Sequence, residues 1–339
     1  MQKTTERWLN ALQESIETSV EGLANTLEAL ILYGNRGADT YQPNGVLAEM
    51  LGHSVAKTAL TSGGNIYDID TAFTLTHFDN MIDRARGHRM GRSDRYVALM
   101  SNEMISRVSG LQTRISREVP MVQFEGGFEM ASYRGIGLLP SGIVAPKGTT
   151  TSPAATATAA AGGSLADDEY FYYISSVTLE GEQKPGTVDS ATTATTNNSV
   201  ALTWTADANA KLYYIYRGLA TGVDNASFLA AVPAKSYDSV GNLSTNVAAW
   251  TDDGSLTPNA ALKPLDAGET IWLLNVDQGD RGMKMLGAVS PLGDPIDDFF
   301  TYTPLATTNA AFRFMIEGFV APKVPYPTVN VVARRAALS

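Results

Sequence analysis

The feature that most constrains the fold is an abrupt change of composition at residues 148–164. These residues read GTTTSPAATATAAAGGS, a low-complexity run of small side chains that is typical of a linker. From 165 to 262, short apolar and aromatic runs recur about every ten residues, separated by Gly, Asn, Asp and Pro, a pattern that predicts an all-β sandwich. We therefore predict a discontinuous host domain, residues 1–147 and 263–339, interrupted by this module.

The distribution of charge supports a separate middle module. The chain carries 35 acidic and 25 basic residues, and residues 148–262 hold 11 of the acidic and 4 of the basic ones. The middle segment is therefore strongly acidic, whereas the host segments are nearly neutral. We expect it to be solvated, with Trp204, Tyr213, Tyr214 and Tyr216 as the core between two packed sheets.

The host segments combine helical and strand patterns, which predicts an α+β fold. Apolar residues from Trp8 to Ile31 recur every three or four positions, so residues 4–33 form one long amphipathic helix that ends before Gly34. Shorter helices are predicted over 46–60, 72–86 and 103–116. A strand is predicted at Tyr96–Met100, and β structure is predicted over 119–145 and after Thr270.

The sequence carries no pattern that predicts catalysis or a metal site. It has no cysteine, and its three histidines (His53, His77 and His88) lack metal-ligand spacing. No GxSxG, GxxxxGK[ST] or strand-associated GxGxxG motif is present. No apolar run is long enough to span a bilayer. We therefore predict a protein that is not an enzyme and has no cofactor, no metal and no membrane partner.

The strongest local charge signal is a cluster of five arginines. The candidate site consists of Arg84, Arg86, Arg89, Arg92 and Arg95. Guanidinium groups this close together need carboxylates or phosphates to offset their repulsion. Three readings stay open: local pairing with nearby aspartates in a solvated loop, ion pairs to a neighbouring subunit, and sequence-independent contact with DNA phosphates.

The host segments resemble the major capsid proteins of tailed bacteriophages, which have the HK97-like fold. The long N-terminal helix ending in ALILYGN is similar to the spine helix of that fold. The resemblance also rests on TLTHFDNMIDRARGHRMGRSDRYVALMSNEMISRVSGL, on FEMASYRGIGLLPSG with ETIWLLNVDQGDRGMKMLG, and on MIEGFVAPKVPYPTVNVV. The middle segment separately resembles immunoglobulin-like or fibronectin type III modules, through YFYYISSVTLEGEQKPG and VALTWTADANAKLYYIYRG.

The resemblance implies an HK97-like capsid fold with a spine-like helix over residues 1–34, a peripheral domain and an axial domain. It implies hexamers and pentamers of a shell around double-stranded DNA, with scaffold, portal and decoration proteins as further partners. The protein would be assembled in the bacterial cytoplasm and reside in the virion, with the sandwich on the outer surface. The family usually has an arm and a β-hairpin E-loop before the spine helix, so these are absent, located elsewhere or removed before Met1.

Three other functional classes remain alternatives. An encapsulin-type compartment shell would have the same fold and enclose a cargo enzyme instead of a genome. A cell-surface or tail adhesin would use the sandwich for binding, although such proteins usually repeat the module and this chain has no repeat. A glycan-active enzyme with a binding module would need a convergent pair of acids, which the host sequence does not suggest.

Overall fold

A computed structural model gives the fold of the larger part of the chain. It describes residues 26–36, 44–52, 65–87, 95–115, 121–123, 129–144, 152–237, 243–276, 284–287, 300–305, 313–318, 320–324 and 327–338.

The described helices agree with the helical periodicity of the host sequence. They are α1 (26–33), α2 (Val46–Gly52), α3 (Leu75–Gly87) and α4 (Asn102–Ile115). The hydroxyl of Ser101 accepts a hydrogen bond from the backbone N–H of Met104 at 3.0 Å, which caps the start of α4. Helix α1 is the end of the predicted spine-like helix, whose residues 1–25 lie outside the described part. Residues 53–60 of the predicted second helix also lie outside it.

The described strands are numbered in chain order. They are β1 (Ile66–Asp68), β2 (Tyr96–Met100), β3 (Met121–Gln123), β4 (Glu129–Tyr133), β5 (Ile136–Pro140), β6 (Thr156–Ala160), β7 (Glu169–Thr178), β8 (Gly181–Glu182), β9 (Asp189–Thr192), β10 (Ser199–Thr203), β11 (Leu212–Gly218), β12 (Ala226–Pro233), β13 (Lys235–Tyr237), β14 (Leu243–Asn246), β15 (Ala249–Asp252), β16 (Glu269–Asn275), β17 (Lys284–Gly287), β18 (Phe300–Leu305), β19 (Arg313–Gly318), β20 (Val320–Lys323) and β21 (Val331–Ala336).

The host strands on both sides of the middle segment form one seven-stranded sheet. Its order is β1-β21-β16-β2-β5-β4-β3, and the pairs β1–β21 and β2–β5 are parallel. Strand β16, which follows the middle segment, pairs antiparallel with β2, which precedes it. The chain therefore leaves this sheet after β5 and returns to it at β16.

The strands of the middle segment form sheets of their own. Strands β15-β10-β6 make a three-stranded sheet, and β12-β11-β7-β8 make a second sheet in which β9 also pairs with β7. Strand β6 lies inside the predicted linker at 148–164 and pairs along its whole length with β10. The linker prediction is therefore wrong for residues 156–160. The small residues of TATAA suit a strand that packs closely on a second layer. Low complexity is also typical of linkers, so composition does not distinguish the two.

Strands β17 to β20, near the end of the chain, form two separate two-stranded ladders. Strand β17 pairs antiparallel with β20, and β18 pairs antiparallel with β19. Within the described residues, none of the four pairs with the seven-stranded sheet. In chain order the β18–β19 pair lies between β17 and β20, and β19 and β20 are separated by a single residue. We call these four strands the ribbon.

Three hydrophobic clusters lie between successive layers. Helices α3 and α4 cover one face of the seven-stranded sheet through a cluster that includes Phe73, Phe78 and Met81. The opposite face packs on the sheet that contains β7 and β11, together with α1 and α2. The far face of β7 and β11 packs on the three-stranded sheet. The protein is thus a mixed α+β, sheet-rich molecule with few helices, and none of its described helices has the length and hydropathy needed to cross a membrane.

Candidate functional site

The middle segment is packed against the host sheet, and we call this contact the joint. Strand β11 buries both of its faces because successive residues alternate between them. Tyr214 and Tyr216 belong to the cluster shared with the host, whereas Tyr213 packs against Trp204 in the cluster of the middle segment. The expected single core for these tyrosines is therefore divided in two, and the expected solvated module has one face buried by the host.

Aromatic and backbone contacts bring the two parts close together at the joint. The hydroxyl of Tyr214 donates a hydrogen bond of 3.2 Å to the carbonyl of Tyr33 at the end of α1. The ring of Tyr33 in turn meets the ring of Trp272 on β16 edge-on, with 5.4 Å between ring centroids. Gly181, the first residue of β8, has φ of 88° and lies so close to the carbonyl oxygen of Ile143 that a Cβ would collide with it. Glycine is required there by conformation and by space.

A buried ion pair crosses the joint. The Nη2 atom of Arg334 on β21 lies 2.7 Å from Oε2 of Glu182 on β8, and 3% and 1% of these side chains are exposed. The Nη1 atom of Arg334 donates a second hydrogen bond, of 2.6 Å, to the carbonyl of Lys263, where the chain returns from the middle segment. The hydroxyl of Tyr216 donates to Oε1 of Glu182 at 2.6 Å. One guanidinium thus bonds two points of the chain that lie far apart in sequence.

The pKa values of Glu182 and Arg334 reflect both their burial and their mutual attraction. Burial raises the pKa of the Glu182 carboxyl above its usual range, although Arg334 and the hydroxyl of Tyr216 act to lower it. Burial also opposes the charge of Arg334, but Glu182 and neighbouring groups outweigh it and raise the pKa of the guanidinium. Both groups lose hydration on burial, and their mutual attraction offsets part of that loss. Such a buried pair commonly adds little net stability, whereas it specifies geometry.

Four aspartates lie within ion-pair distance of the neighbouring Arg335. Its Nη1 atom donates to Oδ1 of Asp224 at 2.5 Å, and its Nε atom lies 3.0 Å from Oδ1 of Asp70 and 3.0 Å from Oδ1 of Asp266. Asp68 is more distant, at 3.9 Å. The hydrogen bond from Arg335 lowers the pKa of Asp224, whereas burial raises the pKa of Asp68. Asp224 belongs to the middle segment and Asp68 and Asp70 to the host, so this arginine also bridges the joint.

A backbone irregularity places the two arginines. The pairing of β16 with β21 shifts register between Glu269 and Ile271, opposite Arg334 and Arg335. Arg335 has φ of 57°, a left-handed conformation that costs a residue with a side chain about 1–2 kcal/mol. Such bulges re-aim side chains. Here two consecutive residues of one strand both reach carboxylates at the joint.

A second buried pair lies entirely within the middle segment. The Nη1 atom of Arg217 on β11 lies 2.6 Å from Oδ2 of Asp252 on β15, with 11% and 1% of the side chains exposed. The hydroxyl of Tyr172 donates to the same Asp252 oxygen at 2.9 Å. Both pairs therefore combine arginine, carboxylate and tyrosine, but this one joins two sheets of one segment.

The predicted arginine cluster is described only in part. The guanidinium of Arg84 lies over the ring of Tyr67, 4.0 Å from its centroid, and Arg95 is exposed. The backbone of Arg86 is in α3, while Arg89 and Arg92 lie outside the described residues. The role of the cluster stays a prediction.

The described histidine has a local structural contact. His77 lies in α3, and its Nδ1 accepts a hydrogen bond from the backbone N–H of Thr74 at 3.2 Å. Burial lowers its pKa. Among the described residues no group of three or more His, Cys, Asp or Glu could hold a metal ion. His53 and His88 lie outside those residues.

Sequence reasoning missed the residues of the joint. Two signals pointed towards it: the unbroken apolar run of β11, which suits a strand buried on both faces, and the adjacent arginines within the apolar strand VVARRA. Nothing near Glu182 in sequence marks it as buried, and 152 residues separate it from Arg334. The arrangement connects the middle segment to the host through ion pairs and hydrogen bonds.

Comparison with known proteins gives a distant structural likeness. No protein-family model and no curated protein matches the sequence. Among solved structures, the chain is similar to the holo-SrpI encapsulin complex from Synechococcus elongatus PCC 7942, determined by cryo-electron microscopy, with 10% sequence identity and a TM-score of 0.45. The alignment covers 97% of this chain and 66% of the encapsulin chain, so this chain spans slightly less than two thirds of that protein.

Proposed function

We propose that this protein is the subunit of a self-assembling shell and that it is not an enzyme. The observation that carries the proposal is the ribbon. A two-stranded ladder is marginally stable alone and leaves an unpaired edge on each side. In the described residues its strands pair only with each other. Edges of this kind suit contact with further copies of the same chain.

The register of the ribbon adds a second argument. In the β18–β19 ladder, Tyr302 pairs with Ile316, and Pro304 pairs with Phe314. In the sequence of β18, the apolar residues Phe300, Tyr302 and Pro304 alternate with Thr301 and Thr303, the period of two that is typical of a strand with one apolar side. Strands of this pattern gain stability by placing apolar residues against another surface.

The finer proposal is a major capsid protein of a tailed bacteriophage. It rests on the resemblance of the host segments to the HK97-like capsid family and of the middle segment to an immunoglobulin-like sandwich. The middle segment would be displayed on the outer surface of a shell of hexamers and pentamers in the virion, assembled in the bacterial cytoplasm. Scaffold, portal and decoration proteins would be its partners, and the arginine cluster of Arg84 to Arg95 would meet packaged DNA or a neighbouring subunit. An encapsulin-type shell and an adhesin are the alternatives.

Assembly of the purified protein tests the proposal. Expressed alone, the chain should form shells, tubes or rings of five or six subunits in negative-stain electron microscopy, with matching masses by light scattering. Ile316→Lys should abolish these assemblies because it places a charge at an apolar position that pairs with Tyr302 in the ribbon. The matched variant Thr303→Lys adds the same charge at a polar position of the ribbon and should assemble normally. A folded protein that stays monomeric at high concentration and with crowding agent would overturn the proposal.

The contents of the assemblies separate the two kinds of shell. Particles from the natural source that protect double-stranded DNA from nuclease would support a phage capsid. Particles that hold a cargo enzyme and no genome would support a compartment shell. A monomer that binds cells through the middle segment would favour the adhesin.

A further inference from the structure

We propose that Arg334 and Arg335 form an orientation lock that holds the middle segment in a single position on the host sheet. The inference concerns the single subunit and does not depend on shell assembly. It follows from three features of the joint: the low directionality of its apolar contact, the fork of hydrogen bonds from Arg334 and the bulge that carries both arginines.

The first feature is that the apolar part of the joint does not select an orientation. The cluster shared by the two parts consists of aliphatic and aromatic residues from α1, α2, the host sheet, β7 and β11. Hydrophobic attraction depends on the area buried and has little directionality. Two sheet faces of this composition can bury similar areas at several relative positions. A directional contact must therefore choose among them.

The second feature is the fork of Arg334. Its two terminal nitrogens donate in different directions, one to the Glu182 carboxylate and one to the Lys263 carbonyl. A guanidinium is planar and rigid, and its bond to Lys263, in the host part of the chain, fixes its orientation. The bond to Glu182 can therefore form at only one position of the middle segment. In any shifted position a buried, permanently charged group would lose a partner, which is strongly unfavourable. Burial raises the pKa of Glu182, so the charge of this carboxylate carries a desolvation cost that its partners offset.

The third feature is the strained backbone beside the fork. The left-handed Arg335 allows the residue next to Arg334 to reach Asp224 as well. Asp224 lies in the short connection between β11 and β12, whereas Glu182 lies on β8 at the other edge of that sheet. The two arginines thus hold opposite edges of one sheet. Two separated anchor points fix rotation as well as translation.

Spin-label distance measurement tests the lock directly. The chain has no native cysteine, so labels can be placed at Thr113→Cys on α4 and Thr196→Cys in the turn before β10, both exposed. The unaltered joint should give one narrow distance distribution. The double variant Glu182→Leu/Arg334→Met replaces the pair by apolar groups of similar size. It should unfold cooperatively with little loss of stability but give a broadened or bimodal distribution.

A matched control keeps the same chemistry away from the joint. Asp252→Leu/Arg217→Met removes the buried pair that lies within the middle segment, and its distance distribution between the two labels should stay narrow. A narrow distribution in the Glu182→Leu/Arg334→Met protein would overturn the lock, because apolar packing alone would then set the position. Equal broadening in both double variants would also overturn it, because the effect would not be specific to the joint.

A conservative variant covers the case in which the double variant does not fold. Arg334→Lys keeps the charge, but a single ammonium group does not reproduce the rigid fork. It should fold and give a broadened distribution, and a distribution as narrow as that of the unaltered protein would contradict the lock. Because labelled protein is measured as a monomer at low concentration, failure of the lock leaves the shell proposal untouched, and failure of assembly leaves the lock untouched.

Discussion

The two buried arginine–carboxylate pairs have the same chemistry but serve different purposes. Arg217 and Asp252 join β11 and β15, which belong to the same segment, and part of the guanidinium reaches the surface. Arg334 and Glu182 join two segments of the chain, and both side chains are almost completely buried. If its carboxylate partner is removed, the guanidinium of Arg217 can be hydrated at the surface, whereas that of Arg334 cannot. Burial, and not the identity of the pair, therefore decides how strongly a contact between two parts of the chain depends on it.

Removing one carboxylate from each pair should give the largest difference. Glu182→Leu leaves Arg334 buried with a charge that it cannot shed, and we expect a loss of about 3–5 kcal/mol in the free energy of unfolding. Asp252→Leu should cost less, about 1–3 kcal/mol, because Arg217 can turn its charged end towards solvent. Urea unfolding at pH 7 measures both. Equal losses would contradict the role that we assign to burial.

The next prediction separates close packing at the joint from backbone strain. Gly181→Ala forces a Cβ against the carbonyl of Ile143, whereas Gly162, with φ of 94°, has open space around it. Both variants strain a positive-φ backbone, but only the first also pushes the two parts of the chain apart. We expect Gly181→Ala to cost about 1–3 kcal/mol more than Gly162→Ala. Similar losses of unfolding free energy in the two variants would show that the joint accommodates the extra methyl group.

Local elements were predictable from the sequence because their signals are local. The sequence pattern located both α3 and α4 to within a few residues of their ends. The strand Tyr96–Met100 was also predicted correctly. These elements depend on neighbouring residues, which the sequence displays directly.

The joint was not predictable because its determinants are distant in sequence. A count of charges made the middle segment look solvated, yet Glu182 and Asp252 are buried with arginine partners. Composition does not show which acid faces which arginine. The division of the middle and host segments into separate domains, residues 165–262 against 1–147 and 263–339, stays a prediction.

A further comparison removes the tyrosine hydroxyl that bonds the carboxylate of each buried pair. Tyr216 donates to Glu182 at 2.6 Å and Tyr172 donates to Asp252 at 2.9 Å. Tyr216→Phe should lower the free energy of unfolding by about 1.5–3 kcal/mol, as is usual for a hydrogen bond to a charged group. Tyr172→Phe should cost less, because its bond is longer. Thermal and urea unfolding of the two variants provide the measurement, and a larger loss for Tyr172→Phe would contradict the ranking.

The smallest effect concerns pH at the joint, and the two carboxylates Glu182 and Asp224 should act in opposite directions. The pKa of Glu182 is raised in the folded protein, so its contribution to stability is greatest at low pH and is lost as pH rises through the raised value. The pKa of Asp224 is lowered by Arg335, so its contribution is present above the unfolded value and is lost in acid. Relative to Glu182→Gln, the unaltered protein should therefore gain stability as pH falls from 7 to about 5. Relative to Asp224→Asn, it should lose stability only below about pH 4.

A loss relative to Glu182→Gln between pH 7 and 5 would mean that the attraction of Arg334 outweighs the cost of burying Glu182. The buried pair would then be a source of stability, as the more exposed pair of Arg217 and Asp252 can be, and the energetic argument for an orientation lock would fail.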